Sequence, residues 1–163
     1  MPESLQLVLM QVEHQPSVVE LIGRAMDDQE AAWAKQTFDF HFSCQQQDID
    51  SKRRFYIAIR SENIAGIVGL HEYRWGPPQN IWLSWFAVEP NLQGQGIGKW
   101  LLRQIEQNAR ELGYTKMFIE TYEHPTFARA LKFYQAQDYV QQGEIQAYLP
   151  DNSAMLVYSK SLT

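Results

Sequence analysis

Three glycines alternate with other residues at positions 94, 96 and 98, and they separate an apolar run from an amphipathic one. The run Ile81–Val88 is rich in Trp, Phe and Val, which predicts a central strand buried on both faces. After the glycines, apolar residues recur every three or four positions up to Gly113, as in a helix with one buried face. These residues are Ile97, Leu101, Leu102, Ile105, Ala109 and Leu112. Because Met117–Ile119 predicts another strand, this region should form a strand–helix–strand crossover with two parallel strands.

The residues before this crossover predict a strand followed by helices. Leu5–Leu9 alternates loosely between apolar and polar residues, and Pro16–Met26 carries apolar residues at helical spacing. A second helical stretch is expected over Asp27–Phe38. The segment Ser43–Lys52 is polar and rich in glutamine, so it is predicted to be a loop.

A predicted hairpin links these helices to the crossover. Phe55–Ile59 and Ile64–Tyr73 are strand-like and are separated by the turn Ser61–Asn63. With Ile81–Val88 they should form three antiparallel strands, because short connections join neighbouring antiparallel strands.

The C-terminal part predicts one more helix and two strands. Pro125 begins the helix, whose apolar stripe consists of Phe127, Ala130, Leu131 and Tyr134. The runs Tyr139–Gln141 and Met155–Tyr158 are strand-like, with a polar turn between them. The whole pattern is that of an α/β fold with a mixed sheet. Since no linker divides it, residues 1–163 are expected to form a single domain.

Composition excludes several classes of protein. Hydrophobic residues make up 45% of the chain and charged residues 20%, which favours a folded domain over disorder. The net charge of −5 disfavours a nucleic-acid partner, which needs clustered Lys and Arg. No apolar run approaches the roughly 20 residues of a membrane-spanning helix. Because Met1–Ser4 lacks the features of a signal peptide, we expect a cytoplasmic protein without a membrane partner.

Cysteine and histidine give no sign of a metal site. The single cysteine, Cys44, cannot form an intramolecular disulfide, and we expect a reduced structural thiol. The four histidines are scattered without the spacing of metal ligands. No metal is therefore predicted.

The glycine-rich stretch has the features of a phosphate-binding loop, because unpaired N–H groups and a helix dipole converge where a strand leads into a helix. A Walker loop is excluded, since the spacing from Gly94 to Lys99 is wrong and Trp100 has no hydroxyl for magnesium. A dinucleotide fingerprint needs a glycine where Lys99 stands, although Glu120 lies about where a ribose-binding acid would be. The dinucleotide alternative stays open.

A third interpretation of the loop rests on the pattern Gln-x-x-Gly-x-Gly, which Gln93, Gly96 and Gly98 satisfy. This stretch resembles the coenzyme A loop of the GNAT superfamily of acetyl-CoA-dependent N-acetyltransferases. The preceding Trp85–Pro90 is similar to the family's central strand. The segment Ala130–Tyr134 is similar to its later helix, with Asp138-Tyr139 where the family usually has Gly-Phe.

The resemblance implies the fold and the cofactor site. In the family, the loop amides hold the pyrophosphate of acetyl-CoA, and the central strand lends backbone groups to the pantetheine arm. The cofactor-binding residues implied here are Phe86, Ala87, Val88, Gln93, Gly94, Gln95, Gly96, Ile97, Gly98 and Lys99. Tyr134 matches the family tyrosine whose phenol serves the coenzyme sulfur.

The general base is not given by the resemblance, because Ile81–Ser84 lacks the carboxylate that several family members carry there. Glu72 is the first candidate, with His71 beside it and Glu120 on the following strand. Deprotonation through water is an equal alternative. A non-catalytic acyl-CoA sensor is the rival class of function, since the central strand lacks this carboxylate.

The acceptor is expected to be the primary amine of a small molecule or a peptide. In the family, the segment after the first strand selects the acceptor. The residues that could frame a cationic or aromatic amine here are Asp27, Asp28, Glu30, Trp33, Phe38, Asp39, Phe40, His41 and Phe42. An acidic helix start followed by core aromatics is an alternative interpretation. A homodimer is possible through Tyr148, Leu149, Met155, Leu156 and Val157.

Overall fold

The computed structural model describes residues 4–163, so three residues of the segment Met1–Ser4 lie outside the described residues. The strands are β1 (Gln6–Leu9), β2 (Arg53–Arg60), β3 (Asn63–His71), β4 (Asn80–Val88), β5 (Lys116–Tyr122), β6 (Val140–Ile145) and β7 (Met155–Ser161). The helices are α1 (Gln15–Ala25), α2 (Asp28–Gln46), α3 (Ile97–Glu111) and α4 (Ala128–Ala136). No helix within residues 4–163 has the length and hydropathy needed to cross a bilayer.

All seven strands form one mixed sheet in the order β1-β2-β3-β4-β5-β7-β6. Strands β1 to β4 are antiparallel neighbours, β4 and β5 are parallel, and β7 is antiparallel to both β5 and β6. The predicted mixed sheet and its parallel crossover through α3 are confirmed. Because β3 beside β4 is antiparallel, the loop does not lie in the parallel sheet that a dinucleotide fold requires.

The helices cover the two faces of this sheet with separate apolar clusters. On one face, α1 and α2 bury Leu21, Ile22 and Phe38 against β2 and β3. On the other, α3 buries Leu101 and Ile105 against the middle of the sheet. The molecule therefore has three layers, and anything that passes through the middle layer connects two different environments.

Helix α2 is longer than the sequence pattern predicts. The expectation of a loop over Ser43–Lys52 is wrong at its start, because α2 continues to Gln46. Phe42 and Cys44 are buried, and their packing continues the helix through residues that show no apolar period; glutamine is itself a good helix former. At the other end, the Asp27 carboxylate accepts a hydrogen bond from the Glu30 N–H at 2.7 Å and caps the helix.

The prediction that β4 is buried on both faces holds at the end of the strand, where Ala87 and Val88 belong to the two different clusters, but is wrong for its first half. Ile81 and Leu83 are buried in the α3 cluster, whereas Trp82 and Ser84 on the opposite face are only half-buried. The aromatic side chains of β4 are typical of a strand that is buried on both faces, and this composition led to the prediction. One of its faces instead borders an open space.

Candidate active site

The sheet opens between β4 and β5. Their parallel pairing covers only Asn80–Leu83 with Lys116–Ile119, although both strands continue further. Immediately after this pairing β4 has a bulge: Gly69 and Ile67 of β3 are two residues apart, whereas their partners Ser84 and Ala87 are three apart. The two strands therefore diverge, and the region between them is called the gap below.

The bulge bends the backbone at Trp85, which has a φ of 48°, a left-handed value that is rare for a bulky residue. Gly69 lies opposite the bulge and has no space for a side chain. A Cβ there would lie 2.5 Å from Phe55 Cδ1 and 2.8 Å from the Ser84 carbonyl oxygen. Strands β3 and β4 therefore pack closely at Gly69. This close packing fixes the position of the bulge, at which β4 turns away from β5.

A cavity of about 380 Å³ occupies this region. Because it reaches through the gap, its lining comes from both faces of the sheet. The lining residues of the α4 side include Leu83, Phe86, Ile119, Thr121, Phe127, Ala130 and Tyr134. Those of the α2 side include Met26, Glu30, Trp33, Thr37, Arg53, His71, Tyr73, Ser84, Glu120 and Tyr122. One continuous space thus connects the two layers of helices.

The glycine-rich loop follows β4 and a short 3₁₀ turn, and it leads directly into α3. Gly94 and Gly96 have φ values of 81° and 84°, so both need the left-handed conformation that glycine adopts without strain. A Cβ at either position would meet nothing within 4 Å. The N–H groups of residues 94–99 donate no hydrogen bond to the described chain. The loop therefore presents consecutive free donors beside the positive end of a helix dipole.

Two arginines lie next to the loop and were not predicted. The Arg129 guanidinium of α4 donates to Gln93 Oε1, and the Arg60 guanidinium of β2 donates to Gln95 Oε1 at 2.9 Å. Gln93 in turn donates from Nε2 to the Val88 carbonyl oxygen at 3.2 Å, which ties the loop to β4. Because these arginines come from distant parts of the chain, no local pattern could reveal them.

The predicted strand residues at the gap are Phe86, Ala87 and Val88. The ring of Phe86 lines the cavity and stacks on Phe133, with 5.7 Å between ring centroids. The side chains of Ala87 and Val88 are buried in the core, so only their backbone groups face neighbouring strands. Past Leu83, no pairing with β5 uses the backbone groups on that side of β4.

Tyr134 lies at the gap, where the cavity meets the α4 layer. Its ring is 5% exposed and packs near Phe86 and Tyr139. Its hydroxyl has no hydrogen-bond partner among residues 4–163. Burial raises the pKa of the Tyr134 phenol, so it stays protonated at neutral pH. The turn after α4 places Asp138 at a φ of 70°, the conformation that glycine more often takes.

Glu30 is the most perturbed acid in the cavity. It is only 7% exposed, and its pKa is raised to about 7 by burial and by the nearby charges of Asp27 and Glu120. Sequence reasoning included Glu30 only in the broad acceptor segment. The available signal was its position on the apolar stripe of α2, four and eight residues before the buried Ala34 and Phe38.

The three predicted base candidates lie in different places. Glu72 is outside the cavity, where its carboxylate accepts from the Tyr114 hydroxyl at 2.9 Å and pairs with Lys52 at 3.3 Å. His71 lines the cavity, but burial and the Arg53 charge lower its pKa to about 4, so it is neutral. Glu120 is exposed at the cavity mouth and accepts from the Tyr122 hydroxyl at 3.2 Å.

Thr121 on β5 was not considered from the sequence. Its side chain is 2% exposed, and its hydroxyl is the buried side-chain polar atom for which the described chain offers no hydrogen-bond partner. Buried polar groups are almost always hydrogen-bonded, so an orphan in a cavity wall indicates a ligand contact. Thr121 and Tyr134 both line the gap.

The remaining expectations concern other parts of the molecule. Cys44 is buried and free, as expected for a structural thiol. Within residues 4–163, no cluster of His, Cys, Asp and Glu has the arrangement of a metal site. Met155 and Leu156 are buried within the chain itself, whereas Tyr148 is 50% exposed and stacks on Tyr122. The predicted homodimer stays a prediction.

Comparison with known proteins agrees with this geometry. The model of the acetyltransferase (GNAT) family matches residues 18–139, well over half of the chain. N-acetyltransferase 8B of Rattus norvegicus is 38% identical over 69 residues. The matched segment covers 41% of this chain and 31% of that protein, so it spans less than a third of the curated relative.

Two solved structures share the fold over nearly the whole chain. A Desulfovibrio desulfuricans protein assigned to the GNAT acetyltransferases has a TM-score of 0.86 and 18% identity, and covers 98% of this chain and 100% of its own. A Bacillus subtilis acetyltransferase, solved in complex with CoA, has a TM-score of 0.74 and 19% identity, and covers 98% and 100%. Because both identities are below 25%, the two structures show that the fold is shared and show nothing further about this chain.

Proposed function

The chain belongs to the acetyltransferase (GNAT) family, and on that premise we propose that it is an N-acetyltransferase that transfers the acetyl group of acetyl-CoA to a primary amine. The acceptor is a small molecule or a peptide, and transfer is direct, within a complex that holds both substrates. The observation that carries this proposal is the cavity that passes through the gap between β4 and β5. It gives a cofactor on the α4 side and an amine on the α2 side a common meeting point.

The loop fits the cofactor by the chemistry of its donors. The free N–H groups of residues 94–99 and the dipole of α3 would bind the pyrophosphate, with Arg60 and Arg129 beside the loop. The pantetheine arm would lie in the gap, against the backbone of Phe86, Ala87 and Val88 and the unpartnered Thr121 hydroxyl. The CoA bound to the Bacillus subtilis relative supports this assignment.

Acetyl-CoA supplies an activated thioester whose carbonyl carbon accepts the amine nitrogen. The C–N bond forms, the C–S bond breaks, the nitrogen loses a proton and the thiolate gains one. Tyr134 is the proposed donor to the departing sulfur, because its protonated hydroxyl lies at the gap and has no partner among residues 4–163.

The proton of the amine would be taken on the α2 side. Glu30 has a pKa of about 7, which is suited to accept a proton near neutral pH, directly or through a water molecule. Glu120 at the mouth would receive the incoming ammonium group. Glu72 is not part of this proposal, since its carboxylate is engaged by Tyr114 and Lys52 away from the cavity.

The proposal is tested by thiol release from acetyl-CoA with a panel of amines, together with mass spectrometry of the acceptor. Release above the hydrolysis rate and a mass gain of one acetyl group on the amine are expected. Separately, acetyl-CoA at 100 times its dissociation constant should stabilise the fold by about 2.7 kcal/mol. Stabilisation by acetyl-CoA without release for any amine would favour the acyl-CoA sensor, and stabilisation by NAD alone would favour the dinucleotide alternative.

A further inference from the structure

The α2 side of the cavity contains a cation that pairs with no carboxylate of the described residues. Arg53 is the first residue of β2, and its side chain is half-buried. Among the described residues that line the cavity, it is the single arginine, and none of them is a lysine. Its backbone N–H donates to Ser51 Oγ, but its guanidinium makes no hydrogen bond or ion pair with residues 4–163. Burial lowers the pKa of Arg53, yet a guanidinium stays charged in proteins.

Two cations near Arg53 are partnered. Lys52 pairs with Asp50 and Glu72, each at 3.3 Å, and the Arg74 guanidinium donates to the Asp50 carbonyl oxygen at 2.8 Å. The local acidic groups are therefore engaged elsewhere. Acidic residues outnumber basic ones in the whole chain, 19 to 14, so an arginine without a carboxylate is not a result of scarcity.

The groups around Arg53 do not neutralise its charge. His71 is its cross-strand partner on β3, and His41 approaches from α2. Burial and the Arg53 charge lower the pKa of both histidines, so both rings are neutral at pH 7. Tyr73 is the remaining polar neighbour. A half-buried cation without a counter-ion destabilises a fold, which makes a ligand anion the natural partner.

The acids lie at the other end of the same cavity. Glu30, Trp33 and Thr37 follow one another on the face of α2 that lines the space, and His41 continues that face toward Arg53. Thr37 follows Glu30 by seven positions, which corresponds to roughly 10 Å of helix. Negative charge is thus concentrated at Glu30 and Glu120, and positive charge at Arg53, with aromatic rings between them.

We propose that the acceptor is an amino acid that reacts through a side-chain amine, as lysine would: this amine lies between Glu30 and Glu120, and the carboxylate, several bonds away, is bound by the guanidinium of Arg53. Arginine binds carboxylates through two parallel hydrogen bonds, which fixes both the charge and the orientation of the ligand. This inference rests on the proposed N-acetyltransferase function. It restricts the acceptor from amines in general to those with a carboxylate on the same small molecule.

The first experiment compares amino acids that carry a side-chain amine with the amine that remains when the carboxylate is removed. Lysine with cadaverine and ornithine with putrescine are two such pairs. At least one amino acid should exceed its decarboxylated partner by about 10- to 100-fold in kcat/KM. Equal or faster transfer to every decarboxylated amine overturns the inference and leaves the N-acetyltransferase function intact. No thiol release with any acceptor overturns both.

The second experiment uses Arg53→Met, with the preferred amino acid and its decarboxylated partner. The variant should lose about 10- to 100-fold in kcat/KM for the amino acid, mostly through KM, and nothing for the partner amine. Arg53→Lys should recover part of the loss, because it restores the charge without the fork of donors. Arg54→Met, on the exposed neighbour, is the matched control and should change neither substrate.

Thermal shift with acetyl-CoA keeps this test interpretable. Both Met variants should be stabilised by the cofactor as wild type is, since neither residue lies near the glycine loop. Equal losses on the amino acid and its decarboxylated partner would make Arg53 a structural residue and overturn the inference.

Discussion

The two sides of the gap are built from different parts of the molecule. The proposed cofactor side consists mainly of free backbone N–H groups from one continuous stretch, residues 94–99, at the start of α3. The proposed acceptor side consists of side chains such as Glu30, Arg53 and Glu120, which come from α2, β2 and β5. The first is defined by local conformation, and the second by tertiary packing.

This difference indicates which substitutions could change the amine that such a protein accepts. A backbone site depends on glycines in one turn, so few substitutions can alter its specificity without destroying it. Side chains on a packed sheet and helix can be exchanged singly while the loop stays intact. Variants on the acceptor side should therefore affect the chemistry and the choice of amine, and variants on the loop should affect cofactor binding.

The largest effect is expected at the boundary between the two sides. Tyr134→Phe removes the proposed proton donor and keeps the ring, so single-turnover transfer should slow by about 10²- to 10⁴-fold. The affinity for coenzyme A and the melting temperature should stay close to wild type, because the hydroxyl has no partner in the described chain. Stopped-flow measurement of thiol release measures this step apart from product release.

Tyr139→Phe is the matched control for that experiment. The Tyr139 hydroxyl donates to Glu106 Oε1 at 3.1 Å in the core, away from the cavity. Its loss should lower the free energy of unfolding by about 1 kcal/mol and leave the single-turnover rate unchanged. Wild-type rates in both variants would assign Tyr134 to packing alone.

Glu30→Gln tests the acceptor side through pH. Loss of the proposed base should reduce kcat/KM by about 10²-fold at pH 8, and it should abolish the rise of the wild-type rate through pH 7. Glu120→Gln is the comparison, and it should raise KM while the rise through pH 7 persists. A rise near pH 7 that survives in Glu30→Gln would assign that step to another group.

The same variant changes how stability depends on pH. The folded protein holds the Glu30 proton up to about pH 7, whereas a glutamate has an ordinary pKa of 4.5. Wild type should therefore lose free energy of unfolding as pH rises from about 4.5 to 7, by an amount on the order of 3 kcal/mol. Glu30→Gln should lack this loss, which urea unfolding at pH 5 and pH 8 would measure.

Gly96→Val tests the cofactor side. The substitution forces a β-branched residue into a left-handed conformation and puts its side chain over the free N–H groups, so coenzyme A affinity should fall by about 10- to 100-fold. Gly113→Val is the control, because Gly113 also has a positive φ of 95° and open space around it, but lies past the far end of α3. Calorimetric titration should show weakened binding only for the Gly96 variant.

Thr121→Val should have the smallest effect, with opposite signs for stability and binding. Removal of the unpartnered buried hydroxyl should raise the free energy of unfolding by about 1 kcal/mol and weaken acetyl-CoA binding a few-fold. Thr37→Val is the control, since the Thr37 hydroxyl already donates to the Trp33 carbonyl oxygen at 3.1 Å. A gain of stability in the Thr37 variant as well would remove the special status of Thr121.

The same contrast decides what the sequence could predict. The strand, glycine loop and helix around Gly96 were predictable because their pattern is local. The end of α2 was missed, since burial of Phe42 and Cys44 depends on strands that follow later in the chain. The open face of β4 was missed because aromatic residues line a cavity and fill a core equally well.

The residues of the proposed acceptor side were harder to predict for the same reason. Glu72 and His71 are adjacent in sequence, but successive strand residues point to opposite faces, and only His71 lines the cavity. Arg53 gave no signal, because a lone arginine at the start of a strand is ordinary. What distinguishes it is that it is half-buried in the cavity wall and pairs with no carboxylate of the described residues, which is a property of the folded molecule.

The short pairing of β4 with β5 also has a consequence for cooperativity. In the described sheet, the antiparallel half, β1 to β4, pairs with the other half over just four residues of each strand, Asn80–Leu83 and Lys116–Ile119. Native-state hydrogen exchange should then resolve two units that open independently, since separate units of a fold can differ in opening free energy. A pantetheine arm in the gap would contact both halves of the sheet. A bound cofactor should therefore couple the opening of the two halves, so that they exchange as one unit.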